Sequence, residues 1–158
     1  MKPLIVLLFA FISAILLVKL FKHNYDFAMS ARIAMAIMLV FTAIGHFAFT
    51  KGMTMMIPAF VPFKEGLVLL TGGFEILLAT GLLLPQFKVI TGWTLILFLM
   101  LMLPANIYAA LSNVNYQKGT FDGHGLAYLW FRIPLQFLFI IWTYISAIQR
   151  FEQKEMYV

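Results

Sequence analysis

The sequence predicts an all-α fold, a polytopic membrane helical bundle, and three observations carry that prediction. Of the 158 residues 63% are hydrophobic and only 11% charged, against roughly 45–50% apolar and about 25% charged in soluble domains; the mean hydropathy is +0.97. Five apolar stretches, each near the ~20 residues that cross a ~30 Å hydrocarbon core, occupy most of the chain. Turn-forming residues punctuate the connections, at Pro58, Pro62, Gly66, Pro85, Gly119 and Gly123.

Residues 3–21, PLIVLLFAFISAILLVKLF, follow Lys2 and read as an anchor helix rather than a cleaved signal. The apolar run exceeds a usual signal core, and no small-x-small cleavage site precedes the polar cluster Lys19, Lys22, His23 and Asp26. Residues 1–27 therefore form an N-terminal transmembrane anchor with a cytoplasmic loop. The next spans fall at 28–50, 66–84, 88–111 and 127–148, long enough to cross with modest tilt. Together 28–148 make the membrane core, and 149–158 a cytoplasmic C-terminal tail. The tight Pro85-Gln86-Phe87-Lys88 turn makes the third and fourth spans antiparallel neighbours. The loop from Lys51 to Lys64 carries one charge at each end and is otherwise too apolar for a solvated connection, which places it in the membrane interface. Its Met53, Met55 and Met56 fit apolar anchoring better than soft-metal ligation, since no Cys or nearby His accompanies them.

Five spans put the N-terminus, the 51–65 loop and the 112–126 loop on one face. The opposite face collects Lys19, Lys22, Arg32, Lys88, Arg150 and Lys154, against Lys2, Lys51, Lys64 and Lys118 on the first. The positive-inside rule then gives an N-out, C-in orientation, with Trp93 and Trp142 near one interface and Tyr108, Tyr128 and Trp130 near the other.

Several chemistries are excluded. Cys is absent, which removes disulfides, thiolate metal sites and thiol relays. The net charge of +5 is spread over every loop rather than gathered in the stripe of a nucleic-acid binder. There is no phosphate-binding P-loop, dinucleotide fingerprint or zinc-protease helix, and Ser30, Ser112 and Ser146 lie outside any nucleophile-elbow pattern.

The informative residues are the polar ones inside the spans, where they are costly. They are His46, Glu75, Asn106, Arg132 and Gln136, backed by Thr42, Thr71 and Tyr128. Counted inward at ~1.5 Å per residue, His46, Asn106 and Arg132 lie ~6–8 Å deep and Glu75 and Gln136 ~14 Å, all in the outer half of the bilayer. Thr42, His46 and Thr50 recur every four residues on the second span, as do Tyr128, Arg132 and Gln136 on the fifth, so each helix has one polar stripe. Thr71 and Gly72 share the face of Glu75, with Gly72 small enough for a close approach. The expected arrangement is an Arg132–Glu75 ion pair completed by Asn106, Gln136 and His46. Pro104 and Pro134 free the carbonyls of Met100 and Trp130 as further acceptors. The same network read as structural glue fixes helix register and nothing more.

These residues also form a recognisable series. Gly45-His46-Phe47, Met56-Ile57-Pro58 with Pro62, Thr71-Gly72-Gly73-Phe74-Glu75-Ile76, Gly81-Leu82-Leu83-Leu84-Pro85 and Gly92-Trp93 come first. Pro104-Ala105-Asn106-Ile107-Tyr108 and Leu129-Trp130-Phe131-Arg132-Ile133-Pro134-Leu135-Gln136 follow in order. Over about residues 28–147 the chain resembles the DoxX family of small bacterial membrane proteins. The resemblance implies a four-helix core made of spans two to five in a bacterial cytoplasmic (inner) membrane, with the first span an addition. It also implies membership among proteins labelled quinone-linked oxidoreductase subunits, by analogy with thiosulfate:quinone oxidoreductase.

Three functions compete. In a quinone site, Glu75 or His46 exchanges the proton that accompanies electron transfer, while Arg132, Asn106 or Tyr128 hydrogen-bonds a quinone carbonyl. Lacking Cys and with a single intramembrane His, such a chain needs a soluble or membrane redox partner. Alternatively, a non-catalytic module binds a lipophilic small molecule, quinone or lipid, or assists assembly of a partner membrane protein. Proton-coupled transport ranks last, because five short spans show no inverted repeat. The bilayer is the expected surround in each case and nucleic acid is not a partner.

Overall fold

A computed structural model describes residues 2–22, 25–123 and 125–149; His23, the end of the chain from Arg150 onward and Lys154 lie outside the described residues. The described chain is helical: α1 Lys2–Lys22, α2 Phe27–Ala48, the short α3 Thr50–Thr54, α4 Lys64–Leu83, α5 Lys88–Leu111 and α6 Gly125–Thr143, continued as a π-helical segment Tyr144–Gln149. Its one ladder element is an isolated bridge between Asn115 and Thr120. Among the described residues five helices are long and apolar enough to cross a membrane, at Lys2–Phe21, Phe27–Ala48, Lys64–Leu83, Lys88–Leu111 and Gly125–Gln149. They match the five expected spans to within two residues at every end, and the architecture is that of a multi-pass membrane protein.

Small residues decide where helices meet, because between apolar helices in lipid close backbone approach supplies the packing. On α1 the buried stripe Leu7, Ala10, Ala14 and Val18 faces α2, which buries Ala28, Ala34, Ala36 and Ala43 in turn. The start of α2 is fixed by Asp26, whose carboxylate accepts from the Met29 amide at 3.0 Å, satisfying one of the orphan donors of a helix N-terminus. α2 lies most extensively against α4. The α4–α5 turn makes those helices antiparallel neighbours, as expected, and a Cβ on Gly81 would stand 2.5 Å from Thr91 Oγ1.

The fifth span differs from a plain helix. Its last turn widens to a π register, against which Gly92 of α5 packs so closely that a Cβ would lie 3.1 Å from Ala147. Arg32 Nη1 donates to Ser146 O at 2.9 Å, and Trp142 Nε1 donates to Ala31 O at 3.0 Å. α2 therefore meets the fifth span chiefly through the π segment, while α2 and α6 themselves barely touch. The bundle is closed at one end and splayed at the other.

Candidate functional site

The splayed end encloses a cavity of about 570 Å³, within the usual range of roughly 300–1,000 Å³ for small-molecule sites. All six residues expected at a site line it: His46, Glu75, Asn106, Tyr128, Arg132 and Gln136, with Thr42 and Thr71. The floor is apolar, made by Met38, Leu39, Phe98, Leu99, Leu135 and Phe139. Met38, Leu39, Phe98, Leu99 and Phe139 lie one or two turns deeper than the polar residues on the same helices and Leu135 sits level with Gln136, so the cavity has a polar belt above an apolar base.

His46 and Glu75 meet because Gly72 lets α2 onto α4. A Cβ at Gly72 would stand 2.8 Å from His46 Cβ. The His46 ring then reaches α4, with Nδ1 3.1 Å from Val68 O and 3.2 Å from Thr71 Oγ1. A carbonyl only accepts, and the Thr71 hydroxyl donates to the carbonyls of Leu67 and Val68, each at 2.9 Å. The hydrogen must therefore sit on Nδ1, which leaves Nε2 to face Glu75 Oε2 at 3.8 Å. One proton serves the pair in either of two places: on Glu75 as an acid pointing to Nε2, or on His46 as an imidazolium beside a carboxylate.

Glu75 is 8% exposed, and among the described residues its Oε2 has no hydrogen-bond partner. The Thr42 hydroxyl, which also lines the cavity, donates to Met38 O at 3.2 Å and to Leu39 O at 2.9 Å. A buried carboxylate oxygen without a donor is costly, and it is the kind of exception that marks a working group.

The expected Arg132–Glu75 ion pair does not form. Among the described residues the intramembrane pair is His46–Glu75, because α6 packs on α5 rather than on α4. Arg132 instead stands over the ring of Tyr128, one turn earlier on its own helix, with Cζ 5.6 Å from the ring centroid. Asn106 Nδ2 donates to Met102 O at 3.0 Å, and Gln136 Nε2 donates to Leu99 O. These carbonyls flank Met100, the one whose helical donor Pro104 removes, so the amides lean on the turn around that proline.

Sequence reasoning missed the roof and one cation. Phe49, Met53, Met56, Ile57 and Tyr116 cover the belt, and Lys2 of α1 lines its mouth. The connection expected in the interface thus starts as α3 and folds over the cavity. Gly52 of α3 is buried against the 112–123 loop, where a Cβ would come within 1.8 Å of Tyr116 O, and the Phe49 and Tyr116 rings meet edge to face at 6.2 Å. A glycine inside a stretch as short as TKGMT was the available signal, though it names no partner. The loop beyond is tied by Asn115 N donating to Thr120 O at 2.7 Å and Gly123 N to Asn113 O at 2.7 Å.

No curated protein and no solved structure matches the chain. A family model does, Domain of unknown function (DUF8561), over residues 35–147. That stretch begins inside α2 and contains His46, Glu75, Asn106, Tyr128, Arg132 and Gln136, while Lys2 and α1 lie before it. Covering more than two thirds of the sequence, the match establishes that this chain belongs to the DUF8561 family.

Proposed function

We propose that this protein is a DoxX-like membrane subunit that binds a quinone-type lipophile in the cavity and exchanges protons with it through His46 and Glu75. The observation that carries the reading is the unpartnered Oε2 of Glu75, 3.8 Å from His46 Nε2, opening on an apolar-floored cavity. A quinol loses protons as it loses electrons, so its site requires an ionisable group, hydrogen-bond donors for the ring oxygens and an apolar bed for the tail. His46 and Glu75 supply the first, Arg132, Asn106 and Tyr128 the second, and Phe98, Leu135 and Phe139 part of the third. Electrons pass to or from a redox partner, because the sequence has no Cys and one intramembrane His.

The reading places the protein in a bacterial cytoplasmic membrane with the cavity on the outer side. A membrane-impermeant thiol reagent should then label a cysteine at position 118 in intact cells and spare one at 88; the reverse pattern inverts the orientation. The function is tested by mass spectrometry of lipophilic molecules that co-purify with the wild type and with Glu75→Gln, beside an unrelated membrane protein. Stoichiometric quinone that is lost in the variant supports the proposal. Another specific lipid in its place would make the protein a non-catalytic lipid-binding module, and no enrichment would return the polar belt to a structural role.

A further inference from the structure

The charges that line the cavity do not balance. Among the described residues its cationic side chains are Lys2 on α1 and Arg132 on α6, with His46 on α2; the one acid is Glu75 on α4, and Tyr116 and Tyr128 are the phenols. The part of α5 that lines it has no titratable group. Glu75 is engaged by His46 at 3.8 Å. Among the described residues no carboxylate lies within salt-bridge distance of Arg132 or of Lys2. Arg132 has the π face of Tyr128 beside it, which attracts a cation without neutralising it. A half-buried guanidinium in a span calls for an anion, and its forked donors suit an oxygen anion best.

Granted the quinone-type site proposed above, we infer that the cavity binds a hydroxylated quinone-type ring as its anion, with the ring oxygen on the Arg132 guanidinium. The O–H bond of the ring hydroxyl breaks in water at neutral pH, both its electrons stay on the oxygen and the proton goes to solvent, because the His46–Glu75 pair already holds the one proton it shares. No electron leaves the ring in this step, so it needs no oxidant. Lys2 at the mouth adds a second positive charge, weaker in effect because it is solvent-exposed. The site selects rings with an acidic hydroxyl over neutral ones of the same shape.

The test uses the full-length protein in detergent or nanodiscs at neutral pH, with two probes of equal tail length. One is an alkyl hydroxynaphthoquinone, an anion under these conditions; the other is its neutral methyl ether. Binding is read from quenching of tryptophan fluorescence. The wild type should prefer the anion by about tenfold or more, the scale of a charge-assisted contact. Arg132→Gln should bring the two probes within about twofold, Arg132→Lys should retain a preference, and Lys2→Gln should reduce it less than Arg132→Gln. Equal wild-type affinities, or a preference that survives in Arg132→Gln, would overturn the anion site and leave the quinone reading standing. Failure of both probes to bind the wild type would overturn the quinone reading itself. The wild-type comparison and Arg132→Lys decide the matter even if Arg132→Gln does not fold.

Discussion

The two ends of the bundle are built from similar residues used in opposite ways. At the closed end Gly81 meets Thr91, Gly92 meets Ala147, and the polar side chains of Trp142 and Arg32 give their hydrogens to backbone carbonyls of neighbouring helices. At the splayed end the polar side chains surround a space, and one buried carboxylate oxygen is left without a donor. Glycine at a contact draws helices together and removes room for a ligand; long polar side chains at the same level hold them apart and create it. Gly72 shows the two uses side by side, closing α2 onto α4 so that His46 is delivered to Glu75. Close packing is concentrated at one end and the polar cavity at the other, as when a rigid scaffold carries a polar site that costs stability.

The largest effect should come from breaking the closed end. Gly81→Val puts a branched side chain where even a Cβ lies 2.5 Å from Thr91 Oγ1, and overpacking of this kind costs typically about 1–3 kcal/mol. The unfolding midpoint in detergent should fall, while ligand content per folded molecule stays at the wild-type level. Loss of ligand in step with stability would show that the two ends do not act separately.

The next effect separates His46 from Arg132. His46→Ala removes the imidazole that faces Glu75 Oε2 at 3.8 Å and the hydrogen bond of its Nδ1 to Val68 O, at a cost of about 1–3 kcal/mol. Arg132→Ala strands no carboxylate and should cost less, because removal of an unpaired intramembrane charge offsets the lost packing on Tyr128. Adding Glu75→Gln to His46→Ala should recover part of the loss, since the amide is neutral. Equal losses for the two single alanine variants would reinstate a shared role for Arg132 at Glu75.

The contrast also explains what the sequence made legible. Apolar length is a one-dimensional property, so the five spans and the tight turn at Pro85 could be read directly. Helical periodicity put Thr42 and His46 on one face and Tyr128, Arg132 and Gln136 on another, and charge inside a span selected Glu75, so the members of the site were also legible. Who pairs with whom was not, because it depends on which helices pack: α6 rests on α5, and a guanidinium expected at Glu75 turned to Tyr128. The roof was hidden for a similar reason, since nothing in TKGMT specifies that Gly52 will rest on the backbone of Tyr116. Lys2 read as a topology charge because only the return of α1 beside α2 brings it to the cavity mouth.

The smallest expected effect concerns whether the roof loop holds itself or depends on Gly52. The Thr120 hydroxyl donates to the Asp122 carboxylate, and Lys118 lies 3.6 Å from its other oxygen. These contacts, the hydrogen bond first, hold the exposed Asp122 carboxyl below its ordinary value of 3.8. A lowered folded value means that the contribution is fully present above 3.8 and fades as pH falls through the folded value. Hydrogen-exchange protection of the Gly119 amide, which donates to Asn115 O at 2.8 Å, should accordingly hold from neutral pH down to that point and decline below it. Asp122→Asn should remove the pH dependence and slightly lower protection throughout. If protection in Asp122→Asn equals that of the wild type at every pH, the loop is held by its seat on Gly52 and not by its own charges, and the roof of the cavity is one unit.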